Sequence, residues 1–175
     1  MDHPKRKSPR IPGYDYATPN YYFVTICTHD KKCIFGKPDQ LNRYGKYAQE
    51  YLLKIAELNK NVLIDKYVIM PNHVHAIIVI QSDYDLKKDI PTMIGQYKTA
   101  VTKQIRKIDP KITVWQRSFH DHVIRNQRQY ESIWTYIDGN PLNWKKDCFY
   151  LFENDSVQLT QSTGNVPLTS AREGQ

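Results

Sequence analysis

The chain is short of cysteine, has no long apolar run and no apparent internal repeat, and each shortage removes a class of protein. Its three cysteines, Cys27, Cys33 and Cys148, are odd in number and show no CxxC spacing. That argues against a disulfide framework and against a zinc ribbon, and it fits a reducing compartment. No stretch approaches the ~20 consecutive apolar residues that a bilayer span requires, so no membrane partner is expected. The opening MDHPKRKSPR lacks the apolar segment of a secretory signal, and the expectation is an unexported, cytoplasmic protein.

Basic and aromatic residues are what the chain has in excess. Lys and Arg number 25 against 18 Asp and Glu, a net charge of +7, accompanied by 13 tyrosines. Cations neutralise phosphates and flat rings stack on unpaired bases, so this mixture suits a nucleic-acid partner. At 175 residues the chain is long enough for one domain with its own core. Composition divides it into a basic arm over 1–13, a folded domain over 14–152 and a polar tail over 153–175 that is expected to be disordered. The arm carries Lys5, Arg6, Lys7 and Arg10 among prolines, a composition suited to ordering on a phosphate backbone.

Hydrophobic periodicity orders the domain. Tyr21 to Cys27 reads as a strand after Pro19-Asn20, and Lys31 to Asn42 as a connection with a short strand at Cys33 to Phe35. Apolar residues then recur at three and four from Tyr44 to Leu58, the period of an amphipathic helix. Two β-branched runs, Val62 to Met70 and the run ending at Ile80, flank a Pro71-Asn72 turn, and a polar loop over 81–89 follows them. Thr92 to Ile108 is a second helix with a basic outer surface that includes Lys98 and Lys103. Ile112 to Trp115 and Phe119 to Ile124 are both strand-like, the second being the better candidate to complete a sheet, with Arg117 between them. A third helix runs from Gln127 to Asn140 and stops before Pro141. The order is βαββαβ with a hairpin at its centre, then a helix, which predicts an α+β, ferredoxin-like fold: an antiparallel sheet with two helices on one face.

His73 and His75 lie just past the hairpin turn. Strand side chains alternate faces, so the two imidazoles point the same way with Val74 opposite, an arrangement suited to paired ligands of a divalent metal. Such a site needs a further protein ligand. Asn140 and Tyr136 are four apart on the third helix, so an amide oxygen brought to the metal brings a phenol beside it. A phenol is a weak nucleophile, yet it can attack a phosphodiester polarised by a metal ion. The bland alternative for Tyr136 alone is a packing tyrosine, one of many.

The stretches YVIMPNHVHAIIVI, IGQYKTAVTKQI, VWQRSFHDHVIRN and YIDGNPLNW, in that order, resemble the single-tyrosine HUH transposases of the IS200/IS605 type. The chain is most similar to their REP-associated tyrosine transposase branch, which YFVTICTHDKKCIFG and RKSPRIPGYDY also resemble, so the likeness covers about residues 6 to 150. The resemblance implies a nuclease that cuts and rejoins single-stranded DNA next to hairpins through a 5′-phosphotyrosine, with Mg²⁺ or Mn²⁺. By position, Tyr136 is then the nucleophile, His73 and His75 the paired ligands and Asn140 the third, where related enzymes use glutamine. Lys5, Arg6, Lys7, Arg10, Lys98, Lys103, Arg117, His122 and Arg125 are the expected DNA contacts, and His120 shares the spacing of His122 without an assigned part. The protein is expected as a monomer or homodimer associated with the nucleoid. The rival from another class is a catalytically inactive ferredoxin-like module that binds DNA or RNA hairpins; a replication initiator or relaxase suits the length and motif order less well.

Overall fold

A computed structural model describes residues 10–82, 88–147 and 149. Lys5, Arg6, Lys7, Cys148, most of the 81–89 loop and the expected disordered tail lie outside the described residues.

The sheet has four strands in the order β4-β5-β1-β6, all antiparallel, where β1 is Asn20–Cys27, β4 is Val62–Met70, β5 is His73–Ile80 and β6 is His120–Ile124. Two-residue strands β2 (Gly36–Lys37) and β3 (Gln40–Leu41) form a separate small hairpin. Helices α1 (Arg43–Leu58) and α2 (Ile90–Arg106) pack on each other, and α3 (Gln127–Gly139) lies against β4 and β5. This is the ferredoxin-like layout. No helix among the described residues is long and apolar enough to cross a membrane.

Every residue of β5 is buried, because the strand has a packed layer on each side. Val74, Ala76, Ile78 and Ile80 join Tyr22, Val24 and Ile26 of β1 in a core under α1 and α2. Ile77 and Val79 point the other way and pack with Ile124 of β6 and Ile137 of α3. The alternation puts His73 and His75 on this second face, beneath α3.

Local chemistry fixes the helix starts. Side-chain oxygens of Asn42, Asp89 and Asn126 accept backbone N–H groups of the first turns of α1, α2 and α3, a cap worth about 1 kcal/mol each. Gly45 is required in α1, since a Cβ there meets Phe35 O at 2.3 Å.

Two expectations are corrected. Cys33 to Phe35 is not a strand; Phe35 is a buried core residue in ring contact with Trp115, and the short hairpin begins at Gly36. Of the two strand-like segments the second forms β6, as expected, and Ile112 to Trp115 stays outside the sheet. Trp115 makes one isolated bridge to Thr28 and packs against Tyr97 and Phe35, so its segment plugs the end of the core instead of joining the ladder. Arg10 belongs to the folded unit: its guanidinium pairs with the buried Asp121 carboxylate and lies 3.6 Å from the Phe119 ring centroid.

Candidate metal and tyrosine site

The β4–β5 turn, β1 and α3 converge on the two histidines. Their ring centroids are 4.4 Å apart, and both side chains are buried. Each ring is held through Nδ1, His75 by Thr25 Oγ1 at 2.9 Å and His73 by Asn72 Oδ1 at 2.8 Å. Asn72 is itself fixed, because its Nδ2 donates to the carbonyls of Lys31 and Phe149. The oxygen facing His73 can only accept, so His73 Nδ1 carries the proton and Nε2 keeps a lone pair.

The face of α3 supplies the rest. Tyr136 Oη lies 3.2 Å from His75 Nε2 and donates to Asp147 Oδ2 at 3.3 Å. One turn on, Asn140 Nδ2 donates to the same Asp147 oxygen at 2.7 Å. The expected four-residue relation of Tyr136 and Asn140 is therefore realised, and Tyr136 remains 42% exposed, open to a substrate. Beside them is a cavity of about 140 Å³ with Lys146 among its lining residues. The Phe149 ring stands 4.7 Å from that of His73 and helps to bury it.

Burial sets the charge state. It pushes His73 down to about 4, against an opposing pull from Asp147. Burial, and then the neighbouring His73, holds His75 well below 6.5. Both imidazoles are neutral at pH 7, as ligands must be.

Two buried atoms at the site, His73 Nε2 and Asn140 Oδ1, have no hydrogen-bond partner among the described residues. Leaving each unpaired costs about 1–3 kcal/mol, a cost that a cation bound there would offset. Ligand atoms of His73, His75 and Asp147 also lie within 4.8 Å of one another. Imidazole nitrogen with carboxylate and amide oxygen is a donor set that accepts Mn²⁺ or Mg²⁺. The residues fit a divalent ion.

Asp147 is the member that sequence reasoning missed. It lies beyond the helix stop, and only the 3₁₀ turn Trp144–Lys146 returns it to the site. No periodic signal marks such a residue.

The expected DNA contacts separate. Lys98 Nζ is turned inward to the carbonyls of Gln116, Arg117 and Ser118, so its charge secures that loop. Lys103 and Arg117 are exposed and line a groove of about 790 Å³ with Arg106 and Lys107, none of them in an ion pair among the described residues. His120, His122 and Arg125 are exposed at β6. His120 pairs with Thr25 and His122 with Phe23, which puts both on the sheet face that carries His75.

An uncharacterized protein of Haemophilus influenzae is 33% identical over 168 residues, covering 83% of this chain and 93% of its own. The solved structure of a REP-associated tyrosine transposase bound to a REP hairpin is similar in fold, with a TM-score of 0.54 at 19% identity, covering 100% of this chain and 99% of its own. The family model described as "Transposase IS200 like" matches residues 17–140, from the start of the sheet through the histidine pair to Asn140. With that span matched, the chain belongs to the IS200-like transposase family.

Proposed function

We propose that the chain is a metal-dependent single-stranded DNA endonuclease and strand transferase of the REP-associated tyrosine branch, acting next to DNA hairpins. The observation that carries this reading is Tyr136 Oη, exposed and 3.2 Å from His75 Nε2, beside two buried ligand atoms that lack a partner among the described residues. The hairpin in the similar solved structure supports the choice of substrate.

His73, His75 and Asn140 would hold the ion, with the Asp147 carboxylate adjoining. The bound ion, Mg²⁺ or Mn²⁺, supplies Lewis-acid polarisation of the scissile phosphate. Thr25 and Asn72 keep the rings in register and fix which nitrogens face the site. Tyr136 Oη attacks phosphorus, forming a 5′-phosphotyrosine as the bond to the 3′ oxygen breaks. The Asp147 carboxylate, which accepts a hydrogen bond from the phenol at 3.3 Å, takes up the phenol proton. The released 3′ hydroxyl reverses the step on rejoining, so no high-energy cofactor is needed. Tyr136 serves the histidines of its own chain, which supports cleavage by a monomer.

Incubating the protein with hairpin-bearing single strands from its own genomic flanks, with Mn²⁺ or with chelator, tests this. A denaturant-stable protein–DNA adduct that requires the ion is expected. Duplex-only cleavage, or ion-independent cleavage, contradicts the proposal.

A further inference from the structure

β6 carries two histidines that the metal site does not use, and one of them stands in register with His75. Val68 of β4 pairs with His75, His75 with Thr25 of β1, and Thr25 with His120 of β6, so the four residues form one row across the sheet. Paired strand residues share a face, and the Thr25 hydroxyl meets the His75 ring on this one. His120 is therefore on the catalytic face, two strand spacings from His75, or ~10 Å between backbones. Its ring is exposed and makes no hydrogen bond or ion pair among the described residues.

Helix α3 covers this face over β4 and β5. Tyr136 thus reaches His75 Nε2 from the β4–β5 side, whereas His120 flanks the same row from the β6 side. In an in-line displacement the attacking and leaving oxygens lie on opposite sides of phosphorus. With Tyr136 attacking, the 3′ oxygen faces the half of the sheet where His120 stands. His122 is one step farther from the histidine pair, opposite Phe23 instead of Thr25.

The chemistry requires a proton donor at that place. A phenolate is a much weaker base than the sugar alkoxide it displaces. Unless the 3′ oxygen gains a proton as its bond breaks, the phenolate is the better leaving group and the step runs backward. Asp147 lies on the tyrosine side, hydrogen-bonded to the phenol, and does not serve the opposite oxygen. Histidine changes charge near neutral pH, so it can give a proton in one direction and take it back in the other.

We propose that His120 is the general acid that protonates the 3′ oxygen during cleavage and the general base that activates the 3′ hydroxyl during rejoining. In cleavage the bond from Tyr136 Oη to phosphorus forms and the bond from phosphorus to the 3′ oxygen breaks. The phenol proton passes to Asp147, and the imidazolium proton of His120 passes to the 3′ oxygen. Rejoining reverses each transfer. The proposal rests on the nuclease reading above and adds a second proton-transfer group to it.

The test replaces the leaving oxygen with sulfur. The linkage that the wild-type protein cuts in a hairpin strand from its genomic flanks is mapped, then synthesised with a bridging 3′ sulfur. A thiolate is a far better leaving group than an alkoxide and departs without a proton. Single-turnover adduct formation is measured on both substrates at saturating DNA and Mn²⁺. His120→Ala should slow the oxygen substrate by roughly 10²–10⁴-fold and cut the sulfur substrate at nearly the wild-type rate. His120→Gln, which keeps a hydrogen-bonding side chain without a transferable proton, should behave in the same way. The position is exposed, so both variants are expected to fold, which circular dichroism checks. An equal loss on both substrates, or an unchanged rate on the oxygen substrate, overturns the assignment and leaves the nuclease reading intact. Failure of the wild-type protein to cut any flanking strand overturns both.

Discussion

Thr25 and His75 face each other across β1 and β5, Oγ1 to Nδ1 at 2.9 Å, and both are buried. This contact turns the other ring nitrogen toward Tyr136. Thr25→Val keeps the shape and removes the hydroxyl. Mn²⁺ affinity by titration calorimetry should fall about tenfold or more, and the lost buried partner should cost about 1–3 kcal/mol of stability. Unchanged affinity would show that Thr25 does not orient the ligand.

The histidines also set a pH dependence. His73 is neutral in the fold down to about 4, whereas in the unfolded chain it takes up a proton near 6.5. The unfolded state then binds more protons, so stability falls as pH falls between about 6.5 and about 4, with no further loss from this group below that. His75 contributes with the same sign. Urea midpoints of the metal-free protein should drop more steeply across this window than those of a His73→Gln variant. Parallel curves would contradict the assignment.

Asp147 is the acceptor shared by Tyr136 and Asn140. Asp147→Asn retains the side-chain shape but cannot accept the phenol proton as a carboxylate does. Single-turnover cleavage should slow by roughly 10²–10⁴-fold with hairpin affinity unchanged. Cleavage at the wild-type rate would remove Asp147 from the chemistry.

Arg10 and Asp121 form a contact that anchors the start of the folded unit. The Asp121 side chain is 1% exposed and that of Arg10 21%, so Arg10→Ala leaves a buried carboxylate without its cation. Thermal unfolding should show a loss of about 2–4 kcal/mol, somewhat less than for a fully buried pair. A Lys5, Arg6, Lys7 triple alanine variant should instead leave stability unchanged and weaken DNA binding in a salt-dependent way. If Arg10→Ala is neutral, its guanidinium has no structural role.

The parts of the fold legible in the sequence were those with a period. The β4–β5 hairpin, α1, α2 and α3 each carry an apolar repeat, and strand alternation alone put His73 and His75 on one face. Helical spacing likewise related Tyr136 to Asn140. What escaped depends on contacts distant in sequence. Ile112 to Trp115 has strand-like residues, but the demand for a ring beside Tyr97 and Phe35 took Trp115 into the core. Lys98 reads as a surface cation until the 116–118 carbonyls close on it. Asp147 has no local signal, and its place follows only from the way the chain turns back after Pro141.

Under the proposed function, one tyrosine among the 13 in the chain carries the DNA. The direct measurement is proteolysis of the Mn²⁺-dependent adduct followed by mass spectrometry of the nucleotide-bearing peptide. A phosphodiester-linked modification on Tyr136 alone is expected, and none in Tyr136→Phe protein that still binds the hairpin. Attachment to any other residue, or an adduct that persists in Tyr136→Phe, contradicts it.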